Sequence, residues 1–311
     1  MHQVTVRVPG SCGELIQGSI DDKDFLVSCP IDLYSRVNVQ FDQSIQRIKT
    51  NNYAPRTQKA GEYLLKALDL PEQGIKININ SDLINAAGMA SSTADIAASL
   101  AAIMILTKGA VDLNLLKEIA VKIEPSDSVF LEGLHIFNHR SGKEAEYLGE
   151  APKMDILLFK EAGRVDSLKF NQNKKLQLLN KEKEEQIKKA LSILKMGIKK
   201  NNCQLIGKAA TISSLAHQDI LTKKNLERLI EITAEHRAVY GVNIAHSGTL
   251  IGVLIASNYK AEELLREIKK QIPELKFLNR VKLISGGIEM RVDNGSNTWR
   301  KLNQSCKKKW V

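Results

Sequence analysis

The amino-acid sequence predicts an α+β protein in two halves, and three observations carry that expectation. Near the start, polar and apolar residues alternate with the period of a half-buried strand. Residues 92–108 are apolar on every side, as in a helix sunk in a core. Beyond Pro152, strand patterns flank a run of helical ones, the signature of helices laid on an antiparallel sheet.

Taken in order, residues 3–8 alternate as a strand, and residues 31–41 do so through Leu33, Val37, Val39 and Phe41, with a glycine-bearing turn expected between them. Tyr63, Leu64, Ala67 and Leu68 share one face of a helix over 60–70, and Ile75, Ile77 and Ile79 mark a strand over 74–80. The helix at 92–108 contains neither Pro nor Gly; a second helix, 114–123, stops near Pro125. Segments 135–138 and 144–148 read as a hairpin turning at Ser141 and Gly142. The domain junction is expected near Pro152, dividing the chain into 1–152 and 153–311. The second half reads as a strand at 154–160, helices at 181–200, 202–216 and 223–240, and strands at 243–256 and 277–292 around a helix at 261–271, with the helices on one face.

Composition narrows the function classes. With 311 residues, 43% hydrophobic and 26% charged, the chain has ample core and is neither disordered nor fibrous. Its longest apolar run, Leu100 to Leu106, is far below the roughly 20 residues that cross a bilayer, and the start has no secretory apolar region, so a cytoplasmic protein with no membrane partner is expected. Cys12, Cys29, Cys203 and Cys306 are too scattered for a metal knuckle, which predicts free thiols. The net charge of +10 is unevenly spread: residues 1–150 carry 14 Lys and Arg against 19 Asp and Glu, and the remainder 31 against 16. The basic half is interleaved with acids and poor in aromatics, so no nucleic-acid partner is expected, although a basic RNA-binding protein is the rival from another class.

The strongest chemical signal lies between the strand at 74–80 and the buried helix: Asn85-Ala86-Ala87-Gly88-Met89-Ala90-Ser91-Ser92-Thr93-Ala94-Asp95. A helix start leaves about four N–H groups without intrahelical partners and carries partial positive charge, so small and hydroxyl residues there form an anion cradle. A single Ser or Thr at this place is ordinarily just an N-cap, but three hydroxyls in a row exceed what one cap needs. No P-loop sequence and no strand-following G-x-G-x-x-G occurs, so a nucleotide must be held in another way. Glu124 and Asp127 supply two carboxylates at a spacing that suits one side of a helical turn, though Glu-Pro-Ser-Asp is also an ordinary helix boundary.

Three motifs in order resemble those of the GHMP kinases: Pro9-Gly10-Ser11-Cys12-Gly13-Glu14-Leu15-Ile16-Gln17-Gly18, Gly88-Met89-Ala90-Ser91-Ser92-Thr93-Ala94, and Asn243-Ile244-Ala245-His246-Ser247-Gly248-Thr249. With Ile123-Glu124-Pro125-Ser126-Asp127-Ser128, they are most similar to the L-threonine kinase branch associated with cobalamin synthesis. The sequence departs from the wider family at Ala90, in place of a glycine, and in the single glycine of the third motif. The resemblance implies a two-domain α+β fold with a ribosomal-protein-S5-domain-2-like first half and a ferredoxin-like second half. It implies ATP and Mg2+ as cofactors and L-threonine as acceptor, with homoserine or another hydroxylated metabolite as the rival substrate and a homodimer left open. On the same ground Gly88, Met89, Ala90, Ser91, Ser92 and Thr93 would hold ATP. Ser91, Ser92 and Glu124 would hold Mg2+, with Glu118 in reserve, and Asp127 would be the catalytic base. Ser11, Glu14, His246, Ser247 and Gly248 would meet the substrate, Glu14 through its amino group.

Overall fold

A computed structural model describes residues 3–70, 74–165, 170–173, 175–291 and 298–302. The chain starts with a long hairpin of β1 (Gln3–Ile20) and β2 (Lys23–Phe41), followed by β3 (Ile48–Thr50), α1 (Pro55–Ala67), β4 (Ile75–Ser81), α2 (Ser91–Lys108) and α3 (Leu113–Ile123). Next come β5 (Leu134–Phe137), β6 (Ala145–Gly149), β7 (Asp155–Lys160), α4 (Leu176–Glu182), α5 (Glu184–Lys199) and α6 (Cys203–Ala216). The described chain ends with α7 (Leu226–Ala234), β8 (Val239–Ile244), β9 (Leu250–Ile255), α8 (Glu262–Gln271), β10 (Lys276–Lys282), β11 (Glu289–Arg291) and β12 (Trp299–Lys301). One sheet runs through both halves in the order β10-β7-β9-β8-β1-β2-β4-β3, with β11 also paired to β1, and β5 to β2.

The turn expected between residues 8 and 31 is a strand instead. β1 and β2 stay paired from Gln3↔Gln40 to Ile20↔Lys23, and the tight turn falls at Asp21 and Asp22, both at positive φ (50° and 59°), the conformation a two-residue hairpin needs. The glycines of the first motif serve bulges rather than a turn: the register shifts at Pro9/Gly10, Ser11/Glu14 and Glu14/Ile16, and Gly13 at φ 56° brings the backbone against Ile244. These irregularities set Glu14 opposite both Ser28 of β2 and Ile244 of β8, at the seam between the two halves.

α2 packs across β1 and β2 with α1 and α3 beside it, and its buried Ala94, Ala97, Ala98, Ala101 and Ala102 let it sit close to the sheet. In the second half, helices cover both faces of the sheet, not one. Ile156 and Leu158 join the core that takes in Ile187, Leu194 and Ile206, while Leu157 and Phe159 join another with Leu229, Ile232, Leu264 and Ile268. That is why residues 155–160 read as an unbroken apolar run. The expected strand at 243–256 is two strands, β8 and β9, joined by a turn. The expected helix at 223–240 ends at Ala234 because Val239 begins β8. The helix at 181–200 and the strand at 277–292 are each divided in two, at Lys183 and after Lys282. Cys12, Cys29 and Cys203 are free thiols; Cys306 lies outside the described residues. Among the described residues, no helix is long and apolar enough to cross a membrane.

Candidate active site

The three motifs meet through their backbones. Ser11 N–H donates to Met89 O at 3.0 Å and Gly13 N–H to Gly88 O at 3.4 Å, while Thr249 and Leu250 N–H both donate to Ala87 O, at 2.8 and 3.1 Å. Gly88 and Gly248 press together: a Cβ on Gly248 would lie 2.4 Å from the Gly88 Cα, and one on Gly88 only 2.3 Å from the Ala245 Cβ. The loop entering α2 is thus clamped by both halves of the sheet, with Ala86, Gly88 and Ala90 at positive φ. Ala90, at φ 54°, is the residue that caps α2, and no side chain caps the helix. The hydroxyls of Ser91 and Ser92 therefore lie inside the first turn, not at the cap, and Ala94 N–H→Ala90 O is the first intrahelical bond. The amides of residues 91–93 remain directed out of the helix end.

That helix end opens into a cavity of about 590 Å³ lined by Gly88, Met89, Ala90, Ser91, Ser92 and Thr93 together with Glu14, Glu124 and Asp127. Glu124 and Asp127 do not share a helical turn, as their spacing suggested. α3 ends at Ile123, Glu124 is extended (φ −164°, ψ 159°), and Pro125 keeps the chain out of the helix. Ser126 N–H donates to His139 O at 2.9 Å and fixes this extended stretch against the β5–β6 hairpin.

The carboxylates differ in state. Glu14 and Asp127 are in side-chain contact, and Ser28 Oγ donates to Asp127 Oδ1 at 3.2 Å. Burial pushes both above the usual carboxylate range, Glu14 further because it also faces the charge of Asp127. Burial also raises Glu124, against the pull of Ser92 and Arg56. Its Oε2 pairs with Arg56 at 2.9 Å, whereas Oε1 is buried without a hydrogen-bond partner. A buried carboxylate oxygen left open beside serine hydroxyls fits Mg2+, which takes hard oxygen ligands and is completed by phosphates and water rather than by a protein cage. Among the described residues, no group of three or more His, Cys, Asp or Glu is arranged to hold a metal ion by itself. Glu118 is exposed on α3 and does not line the cavity, which removes it as the reserve metal ligand.

Two residues expected at the substrate stand elsewhere. The fully buried Ser11 donates to Gly13 O at 2.5 Å and accepts from Cys29 N–H at 3.1 Å, so its hydroxyl braces the bulge of β1. Gly248 is spent on the backbone contact with Gly88, and its carbonyl accepts from Lys223 Nζ. Glu14, His246 and Ser247 do line the cavity, with His246 Nδ1 3.0 Å from Gln17 Oε1. Sequence reasoning missed Ser28, Arg56, Asp95, His139 and Arg164. Asp95 stood in the motif and Arg56 beside a proline that opens a helix, but Ser28, His139 and Arg164 carry no local signal.

Residues 53–132 match the family model described as GHMP kinases N terminal domain, a span that runs from the cavity's mouth through α2 to Asp127. With the clamped loop and the two-half sheet, this defines the class: the chain carries the GHMP kinase N-terminal domain in the α+β GHMP kinase fold, as its motifs implied. Within that class it is similar to an L-threonine kinase of Salmonella typhimurium, 29% identical over 294 residues that cover 92% of this chain and 95% of that protein. Among solved structures, homoserine kinase from Cytophaga hutchinsonii shares the fold at a TM-score of 0.71 and 17% identity, over 93% of this chain and 98% of that one. A protein solved in complex with MVAPP, AMPPCP and magnesium does so at 0.68 and 16%, over 93% and 98%.

Proposed function

We propose that the protein transfers the γ-phosphoryl group of ATP to the side-chain hydroxyl of L-threonine, giving O-phospho-L-threonine and ADP, as a step serving cobalamin synthesis. The observation that carries this reading is that the uncapped amide end of α2 and the Asp127 carboxyl open into one cavity. Residues 1–152 would bind nucleotide and metal, and residues 153–311 would complete the acceptor side. The amides of residues 91–93 and the α2 dipole would take the β- and γ-phosphates. Ser91, Ser92 and Glu124 would hold Mg2+, which supplies charge neutralisation on the phosphates. Asp127, aimed by Ser28 and by its contact with Glu14, would accept the hydroxyl proton as the new O–P bond forms and the bond to the ADP oxygen breaks. Catalysis of this kind rests on positioning, so the rigidity of the clamped loop is part of it.

L-threonine as acceptor rests on the similarity to the Salmonella enzyme and on the carboxyls and histidines that line the cavity. The test is a phosphoryl-transfer assay with ATP and Mg2+ against L-threonine, L-serine and L-homoserine side by side. The proposal expects the highest kcat/KM for L-threonine; a clear preference for homoserine, or transfer to none of the three, would overturn it.

A further inference from the structure

One side chain in the cavity is left unexplained by this chemistry. His139 is 3% exposed and lines the cavity, yet neither ring nitrogen has a hydrogen-bond partner. Buried polar groups are paired in nearly all native structures, and an imidazole with both nitrogens unmatched is an unfavourable arrangement unless a ligand completes it. The ring is held in place by its neighbours. It packs edge-on against His246 (centroids 5.3 Å apart), which in turn packs against Phe170 (5.1 Å) and His217 (5.2 Å). His217 is fixed by Lys183 Nζ on Nδ1 at 3.1 Å and by the His246 carbonyl on Nε2 at 3.0 Å.

The charges decide what such a ring is suited to meet. Burial and then Arg140 bring His139 down to about 3, so the ring is neutral and carries one N–H donor. The groups that act on the histidine stack by charge are Arg140, itself paired to Asp24 at 2.9 Å, and Lys183 and Lys223, which burial brings down to about 7 and about 8. The same cavity is lined by four carboxyls, those of Glu14, Asp95, Glu124 and Asp127. A zwitterion carrying a hydroxyl matches this polarity: its ammonium at the buried, unpartnered Glu14 Oε2, its hydroxyl at Asp127, and its carboxylate at the histidine side. Resting on the proposed amino-acid substrate, we propose that His139 is a specificity-determining residue that donates its ring N–H to the α-carboxylate of the acceptor.

The test compares the wild-type protein with His139→Phe, which keeps a ring but removes both nitrogens, and with His139→Gln, which restores an N–H donor. A hydrogen bond to a carboxylate is worth about ten- to hundred-fold in affinity. His139→Phe should raise KM for L-threonine by about that factor with kcat within about threefold, leave KM for ATP unchanged, and leave kcat/KM for L-threoninamide, which lacks the carboxylate, within about threefold. His139→Gln should recover part of the lost affinity. An unchanged KM for L-threonine, a parallel loss on threonine and its amide, or a rise in KM for ATP alone would overturn the assignment, the last because a phosphate would then be the anion at His139. Calorimetric titration of L-threonine without nucleotide separates this inference from the proposed function. If wild-type protein transfers phosphate to no hydroxy amino acid but binds L-threonine in a manner lost in His139→Phe, the function fails and the inference stands. Transfer that is indifferent to His139 means the reverse, and absence of both transfer and binding overturns both.

Discussion

Gly88→Ala tests the claim that the loop before α2 is pinned by the second half of the chain. Gly88 sits at φ 91°, where an L side chain is strained by about 1–2 kcal/mol. The new Cβ would lie 2.3 Å from the Ala245 Cβ and 3.1 Å from the Gly248 Cα, and overpacking of that kind costs about 1–3 kcal/mol. The sum, about 2–5 kcal/mol, is a large share of the roughly 5–15 kcal/mol that holds a typical protein folded, so the variant should fold but poorly. Urea unfolding without ligand measures the loss. The companion change Ala245→Gly removes the nearest clashing atom but not the backbone strain, so the double variant should recover about 1–2 kcal/mol, allowing for the flexibility a second glycine adds. ATP affinity should fall at least about tenfold in Gly88→Ala, because relieving the clash displaces the amides of residues 91–93. Wild-type stability together with wild-type ATP affinity would refute the clamp, and full recovery in the double variant would refute the strain at Gly88.

Asp127→Asn should lower turnover by about 10²–10⁴-fold with ATP affinity little changed; near-normal turnover removes Asp127 from the role of base. Glu124→Gln should raise the Mg2+ concentration for half-maximal activity at least about tenfold, so an unchanged Mg2+ titration would exclude Glu124 as a ligand. Asp95 gives a pH signature. Burial chiefly, tempered by the Ser35 hydroxyl and assisted by Glu124, raises its carboxyl from 3.8 to about 6. The folded state then holds a proton that the unfolded chain has lost, so stability falls as pH rises from 3.8 to about 6. Asp95→Asn should therefore exceed the wild type in urea midpoint at pH 7 and lose that advantage by about pH 4. An advantage that does not vary with pH would contradict the buried, titrating carboxyl.

Periodicity and chemistry were legible in the sequence to different depths. The helix at 91–108 declared itself because a segment buried all round must be apolar all round, and Gly88 to Thr93 declared itself because an excess of small and hydroxyl residues has no structural need. The β1–β2 hairpin was hidden by its own devices. Bulges at Gly10 and Gly13 imitate a turn, while the true turn, Asp21-Asp22, lacks the glycine that usually marks one. Ser28, His139 and Arg164 come from three separate segments, which only the tertiary fold brings to Asp127 and its cavity. Ser11 and Gly248, expected at the substrate, are taken up by backbone contacts, and the motif could not show it: a motif shows that a residue type is required, but backbone contact and substrate contact can impose the same requirement.

The most direct measurement is a crystal structure with a non-hydrolysable ATP analogue, Mg2+ and L-threonine. The account predicts phosphate oxygens at about 2.7–3.2 Å from the amides of residues 91–93, Mg2+ on Glu124, and the threonine hydroxyl at similar distance from the Asp127 carboxylate. A nucleotide bound away from the start of α2, or an acceptor whose hydroxyl does not reach Asp127, would contradict it.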